Sequence, residues 1–145
     1  MARAIRVSQS AAVPYRIVAR STEPEVLLVT SRTGRWTIPK GGIKPGATAA
    51  ETARIEALEE AGVLGTIEPA LGQFAFEKEG ELVIARAFPL RVTGVLDRWE
   101  EEATRIRVWT PIAEVGRLVT RRAVVRLVTE LRHRLLSTTG AARAA

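Results

Sequence analysis

Cysteine is absent from this 145-residue chain, and histidine occurs once, at His133. The lack of cysteine excludes disulfides, thiolate metal sites and cysteine nucleophiles. One histidine cannot supply a zinc site that needs several imidazoles. No apolar run approaches the roughly 20 residues that span a bilayer, and Met1–Ala12 lacks the long apolar core of a signal peptide. We therefore expect a cytoplasmic protein with no membrane partner.

The chain has an ordinary globular composition with an excess of arginine. Hydrophobic residues make up 46% and charged residues 26%, and 145 residues suffice for one domain with its own core. We expect a single domain over residues 1–145, with a core at about 12–136 and a disordered tail at 137–145. The formal net charge is +6, and only three of the 22 basic residues are lysines. Such a surface attracts anions, and the planar fork of arginine suits phosphate, although a GC-rich genome explains the same bias.

Hydrophobic periodicity predicts strands on both sides of a central helix. The predicted strands are Ala12–Arg20, Glu25–Ser31, Leu64–Phe76, Leu82–Val92 and Arg105–Trp109, with a short extended piece at 36–38. Thr48 and Glu51 form a capping-box pattern and Gly62 is a helix stop, which predicts the central helix between them. A short helix opens at Pro111, and an amphipathic helix covers Arg121–Leu136. This order implies an α/β fold with a mixed sheet between helices.

Three glutamates, Glu56, Glu59 and Glu60, project from one side of the central helix because they are related by i, i+3 and i+4. Magnesium takes oxygen ligands and commonly binds carboxylates together with substrate phosphates. The alternative is a solvated acidic face on a surface helix. The preceding Lys40-Gly41-Gly42 weighs against that alternative, because glycines let the backbone approach closely and the following helix N-terminus favours anions.

Residues 41–63 resemble the Nudix box without a gap. The matching residues are Gly41-Gly42-Ile43-Lys44-Pro45-Gly46 and Glu56-Ala57-Leu58-Glu59-Glu60-Ala61-Gly62-Val63. The resemblance implies the Nudix fold, an α/β/α sandwich with a mixed β-sheet, and hydrolysis of a nucleoside diphosphate linked to another moiety. It also implies Mg²⁺, or Mn²⁺, held by Glu56, Glu60 and Glu59 with the backbone carbonyl of Lys40 or Gly41. Glu59 would also take the base-like role toward the attacking water.

Two positions depart from the box, because Ala47 stands where the family has a glutamate and Ile55 where it has an arginine. In the family, that arginine helps to orient the middle glutamate, here Glu59. Ile55 cannot do this, and Arg54 is rotated by about 100° around the helix. We therefore expect hydrolytic activity that is reduced to the extent that Glu59 loses this orienting contact. Loss of a residue that orients metal-binding side chains often lowers activity or metal affinity about 10–100-fold.

The flanking residues are similar to the diphosphoinositol polyphosphate phosphohydrolase group, whose members cleave inositol pyrophosphates and long diadenosine polyphosphates. The similarity rests on Arg20 and on residues 25–32, 35–36, 39–42, 99–101 and 105–109. It implies substrate-binding roles for Arg20, Ser31, Arg32, Lys40, Arg86 and Arg105. Arg86 also shares a predicted strand face with apolar residues, where a charge is costly unless it is paired or faces a polar cleft. The alternative is an arginine that reaches past the sheet edge.

These expectations describe a hydrolase with a small-molecule polyphosphate substrate, no nucleic-acid partner, and a monomeric or homodimeric state. One alternative is a Nudix hydrolase of another substrate, such as a nucleoside triphosphate, ADP-ribose or a nucleotide sugar. A second is an inactive Nudix domain that serves as a ligand sensor or nucleic-acid-binding module, which the net charge and Ile55 favour. The intact carboxylates and the lack of an aromatic-interleaved RNA-binding pattern weigh against the second alternative.

Overall fold

The structure is a computed structural model that describes the backbone at residues 6–18 and 23–144, and the side chains of these ranges as far as residue 137. The strands are β1 (Val7–Arg16), β2 (Glu25–Thr30), β3 (Trp36–Thr37), β4 (Lys40–Gly42), β5 (Val63–Ile67), β6 (Gly72–Lys78), β7 (Glu81–Val95) and β8 (Arg107–Pro111). The helices are α1 (Ala49–Glu56), α2 (Val115–Leu118) and α3 (Arg122–Ala144). A π-helical turn at Ala57–Ala61 extends α1, and a 3₁₀ turn at Ile112–Glu114 precedes α2.

The strands form one mixed sheet. Its order is β3-β2-β1-β7-β5, with β4 beside β1, β6 beside β7 and β8 beside β2. Strands β1 and β7 run parallel, from Val7 opposite Ile84 to Tyr15 opposite Arg91. The other pairs among the described strands are antiparallel. A parallel pair requires a long crossover connection, and α1 lies within that connection. The predicted α/β architecture with a mixed sheet is confirmed.

The sheet separates two hydrophobic clusters, because successive side chains of a strand point to opposite faces. Tyr15 points to the cluster that α3 covers, and Ala12 points to the cluster that α1 covers. The alanines of α1 and its π-helical turn, Ala53, Ala57 and Ala61, are fully buried in the second cluster. Their small side chains let this helix pack close to the sheet. This packing fixes the position of the carboxylates on the other side of the helix.

β1 lies earlier in the chain than the predicted strand Ala12–Arg20. It begins at Val7 and ends at Arg16. The structure describes nothing between residues 18 and 23, so Arg20, a predicted substrate-binding residue, lies outside the described residues.

The predicted strand Leu64–Phe76 is divided into β5 and β6, which both pair with β7. The break falls at residues 68–71 and contains Pro69. Proline has no N–H to donate to a strand ladder, so it ends the first segment before the second begins. The predicted pairing with the strand at Leu82–Val92 is otherwise confirmed.

The C-terminal part also differs from the prediction. β8 begins two residues later than expected, because the N–H of Arg105 donates to the carbonyl of Glu101 at 3.0 Å and so closes a turn. The backbone of α3 is helical as far as Ala144, whereas the sequence predicted an end at Leu136 and a disordered tail. Among the described residues, no helix is long and apolar enough to cross a membrane.

Candidate active site

The N-terminus of α1 is fixed by the capping residue that the sequence predicted. The side chain of Thr48 accepts a hydrogen bond from the N–H of Glu51 at 3.1 Å. Gly46 turns the preceding loop with a φ of 83°, a conformation that glycine adopts readily. At the start of this loop, β4 pairs with β1. The glycine-containing loop and the helix are therefore held in one arrangement.

The helix changes form where the carboxylates lie. Glu56 ends the α-helical part, and Glu59 and Glu60 lie in the π-helical turn. Such turns are rare and occur frequently at functional sites. Gly62 then ends the helix with a left-handed φ of 65°, as predicted. Arg107 donates to the last carbonyl of the turn at 2.9 Å, where a cation complements the helix dipole.

Glu60 is a nearly buried carboxylate with a partner on each oxygen. Its exposed fraction is 6%. Oε2 accepts the backbone N–H of Lys40 at 3.2 Å, and Oε1 accepts Nη2 of Arg105 at 3.0 Å. Burial raises the pKa of Glu60 from 4.5 to about 7; Arg105 opposes this shift, and the charge of Glu56 adds to it. The glycine-containing loop and the segment before β8 therefore meet at one side chain of the helix.

Glu56 packs against the backbone of the loop. A Cβ atom added to Gly41 would lie 2.2 Å from Cδ of Glu56, so any side chain at position 41 would displace the Glu56 carboxylate. The pKa of Glu56 is raised from 4.5 to about 7, mainly by burial and in addition by the nearby charges of Glu59 and Glu101. A cation at this position would relieve the repulsion among these carboxylates.

The donor set suits a hard divalent cation. Glu56 and Glu60 supply carboxylate oxygens, and Lys40 and Gly41 belong to the loop that contacts both side chains. Within the described part of the chain, no three acidic or histidine side chains are gathered closely enough to hold an ion by themselves. The site therefore fits Mg²⁺ or Mn²⁺ when carbonyl, water or substrate oxygens complete the coordination, which is how magnesium is commonly bound.

Arg105 lies against the carboxylates, although the sequence suggested that it binds substrate. Its Nη1 donates to the carbonyl of Thr30 at 2.8 Å, and its Nε donates to Oε1 of Glu101 at 3.2 Å. With Nη2 on Glu60, the guanidinium bridges the helix and the segment before β8. The sequence placed Glu101 in a stretch similar to the family group but gave it no role, because its role depends on contacts with residues that are distant along the chain.

A polar cleft of about 400 Å³ opens beside Lys40. It is lined by Ser31, Thr33, Arg35, Trp36, Thr37, Lys40, Thr120 and Arg121. Two of these residues, Ser31 and Lys40, were predicted to bind substrate. Arg35 and Arg121 were not, since they are 86 positions apart in number and only the fold brings them to one cleft.

The cleft has an excess of positive charge. Within the described part of the chain, Arg35, Lys40 and Arg121 form no salt bridge. Lys40 Nζ and Arg121 Cζ each lie 5.2 Å from the ring centroid of Phe76, so one aromatic ring supports two cations. Burial lowers the pKa of Lys40; Glu60 opposes this shift, and Arg121 adds to it. An anion in the cleft would therefore be attracted by three cations that form no salt bridge with the described carboxylates.

The remaining predicted substrate residues lie elsewhere. Arg32 is exposed and is not part of the cleft wall, although its neighbour Ser31 is. Arg86 is exposed on β7, opposite Ser10 of β1 and Gln73 of β6. Phe88 and Leu90, which lie on the same face of β7 as Arg86, are buried in the cluster under α1. At Arg86 itself this face is open to solvent. The structure therefore brings Ser31 and Lys40 together and leaves Arg32 and Arg86 outside the cleft.

The chain has clear relatives among known proteins. "Nudix hydrolase 17, mitochondrial" of Arabidopsis thaliana is 38% identical over 110 residues, which cover 70% of this chain and 60% of that protein. "Diphosphoinositol polyphosphate phosphohydrolase 3-beta" of Bos taurus is 34% identical over 96 residues, which cover 63% of this chain and 58% of that protein. The chain thus spans about 60% of the length of these curated relatives.

Solved structures and a family model agree on the fold. The crystal structure of a C. elegans Ap4A hydrolase binary complex matches with a TM-score of 0.76 and 20% identity, over 91% of this chain and 99% of that one. At this level of identity, the likeness shows the fold alone. The NUDIX domain model matches residues 11–129, which include the glycine-containing loop, the carboxylate helix and the start of α3. With most of its length matched, the chain belongs to the NUDIX family.

Proposed function

We propose that this chain is a divalent-metal-dependent pyrophosphohydrolase that cleaves a phosphoanhydride bond in a highly phosphorylated small molecule, such as a diphosphoinositol polyphosphate or a diadenosine polyphosphate. The observation that carries the proposal is the position of the cationic cleft directly beside the carboxylates. Lys40 belongs to both, because its N–H donates to Glu60 and its side chain lines the cleft. A polyphosphate needs both features, a metal site for the reacting phosphate and cations for the others.

Each residue of the site has a distinct role in this proposal. A divalent ion held by Glu56 and Glu60 would neutralise phosphate charge and polarise the P–O bonds. Glu59 would accept the proton of the water that attacks phosphorus. Lys40 and Arg121 would hold the phosphates that do not react, which fixes the position of the scissile bond relative to the carboxylates.

The charge of the cleft supports a highly phosphorylated substrate. A nucleoside triphosphate offers fewer phosphates than a diadenosine hexaphosphate or a diphosphoinositol. Unpaired cations discriminate in favour of the more highly charged ligand, and this discrimination shrinks as salt screens the charges. The names of the bovine relative and of the nematode structure, which refer to a diphosphoinositol polyphosphate and to Ap4A, point to the same class of compound.

The test is a substrate panel measured with Mg²⁺ and with Mn²⁺. We expect kcat/KM for diadenosine hexaphosphate or a diphosphoinositol pentakisphosphate to exceed that for ATP and ADP-ribose, with a ratio that falls as salt is raised. Glu60→Gln serves as the inactive control, because it keeps the size of the side chain and removes its charge. Turnover of ADP-ribose or a nucleoside triphosphate in preference to the long polyphosphates would overturn the substrate assignment.

A matched pair of variants tests the cleft itself. Arg121 lines the cleft, whereas its neighbour Arg122 is also exposed but does not line it. Charge-assisted hydrogen bonds contribute about 1.5–3 kcal/mol each, so Arg121→Ala should lower kcat/KM for the long polyphosphates by about 10–100-fold. Arg122→Ala should leave it near the wild-type value. Tight binding of the panel compounds without turnover by the wild-type protein would favour the ligand-sensor alternative instead.

A further inference from the structure

The guanidinium of Arg105 has almost no free hydrogen-bonding capacity. Its side chain is 13% exposed. Nε and Nη2 both contact Oε1 of Glu101, at 3.2 and 3.1 Å, and Nη2 also contacts Glu60 at 3.0 Å. Nη1 donates to the carbonyl of Thr30 at 2.8 Å. A substrate phosphate could obtain the two parallel bonds that arginine offers only by breaking these contacts, which would leave Glu60 buried without its counter-charge.

The segment that carries Arg105 is tied to the same two elements. The N–H of Glu101 donates to the carbonyl of Glu59 at 3.0 Å, which anchors the segment to the π-helical turn. Ile106 exchanges hydrogen bonds with Thr30, since its N–H donates to Oγ1 and its carbonyl accepts the N–H of Thr30, both at 3.0 Å. Arg105 lies between these anchor points, so its position is set by the protein and not by a ligand.

We infer that Arg105 is a positioning residue that holds the Glu60 carboxylate in place for the divalent ion and does not bind substrate phosphate. The inference rests on the proposed function. Arg105 fixes Oε1 and the N–H of Lys40 fixes Oε2, so the plane of the carboxylate is determined. Each oxygen retains a second lone pair that can face a cation. Outer partners of this kind orient metal-binding side chains and determine their affinity.

Within the carboxylate helix, which the structure describes throughout, no arginine pairs with Glu60. Position 55 is isoleucine, and Arg54 forms an ion pair with Glu51 at 3.7 Å, on the first turns of α1. Glu101 balances the charge of Arg105, so the arginine orients Glu60 without cancelling the attraction of the site for a cation. The guanidinium therefore reaches the helix from the segment before β8.

The experiment measures Mn²⁺ binding to the substrate-free protein, by the loss of the electron paramagnetic resonance signal of free Mn²⁺. Arg105→Ala should raise the Kd for Mn²⁺ by about 10–100-fold. Arg105→Lys should restore part of the affinity, since one ammonium cannot contact Glu60, Glu101 and the Thr30 carbonyl together. Arg98→Ala is the matched control, because Arg98 also pairs with a glutamate four residues away, Glu102, but is 86% exposed.

Kinetics at saturating metal separate the two roles. If Arg105 is a positioning residue, Arg105→Ala should lower kcat by a similar factor for substrates with few and with many phosphates. It should leave KM nearly unchanged. The opposite result would be Mn²⁺ binding by Arg105→Ala that is unaltered or tighter, together with a KM that rises with the number of phosphates. That result would show that Arg105 binds substrate. If the alanine variant does not fold, Glu101→Gln and Arg105→Lys test the same contacts. Absence of Mn²⁺ binding by the wild-type protein would overturn the proposed function, and the inference with it.

Discussion

Gly41→Ala isolates the contact between the glycine-containing loop and the carboxylate helix. The new Cβ would lie 2.2 Å from both Cδ and Oε1 of Glu56. Because carbon atoms approach one another comfortably at about 3.5 Å, the Glu56 carboxylate must recede by about 1.3 Å. A displacement of about 1 Å at a catalytic group can cost about 100-fold in rate. The side chain is flexible, so the free energy of unfolding should change little. We expect a loss of about 10–100-fold in kcat/KM and weaker Mn²⁺ binding, with the melting temperature nearly unchanged.

The neighbouring glycine provides the control. A Cβ atom added to Gly42 would meet nothing within 4 Å, so Gly42→Ala alters the same loop without touching Glu56. Both variants are assayed for long-polyphosphate hydrolysis, Mn²⁺ affinity and thermal unfolding. Equal damage by both substitutions would mean that the loop needs glycine for its own conformation. Full activity of Gly41→Ala would refute the expectation that displacing the Glu56 carboxylate lowers turnover.

Three further predictions follow from the same site. Because burial raises the pKa values of Glu56 and Glu60 from 4.5 to about 7, the folded protein retains protons that the unfolded chain releases. Without metal, the free energy of unfolding should therefore fall between pH 4.5 and 7, by on the order of 2 kcal/mol after allowance for solvent screening. Urea unfolding at pH 5 and 8 measures this, and Mg²⁺ at pH 8 should restore stability. Ile55→Arg should leave kcat unchanged or raise it, since the new guanidinium could pair with Glu59; a clear loss would show that the protein depends on the apolar side chain. The structure leaves Arg86 exposed and outside the cleft, so Arg86→Ala should leave kcat/KM near the wild-type value for both diadenosine hexaphosphate and ATP; a selective loss for diadenosine hexaphosphate would show that Arg86 binds substrate phosphate after all.

The parts of the site that lie close together in sequence could be predicted. The spacing of Glu56 and Glu60, the cap at Thr48 and the stop at Gly62 are all local signals, and the structure has them as expected. A helix converts such spacing directly into geometry, because its side chains repeat with a fixed period. The π-helical turn gave no comparable signal, since the same residues also suit an α-helix.

Contacts between distant segments could not be predicted in this way. Arg105 and Glu60 are 45 positions apart, and nothing near either residue indicates the other. The cleft could not be predicted for the same reason, because Arg35 and Arg121 line it together only in the folded chain. One error was avoidable: Pro69 is a recognised strand breaker and indicated the division between β5 and β6.

The parallel pairing of β1 with β7 has a consequence for how the chain is made. Residue 7 lies opposite residue 84, and residue 15 lies opposite residue 91. During synthesis, the first strand leaves the ribosome long before its partner exists, and its buried apolar residues stay exposed in the meantime. Pairings between such distant positions require closure of a large loop and slow folding. We therefore expect folding that is slow for a domain of this size, and a nascent chain that aggregates readily until the seventh strand is complete.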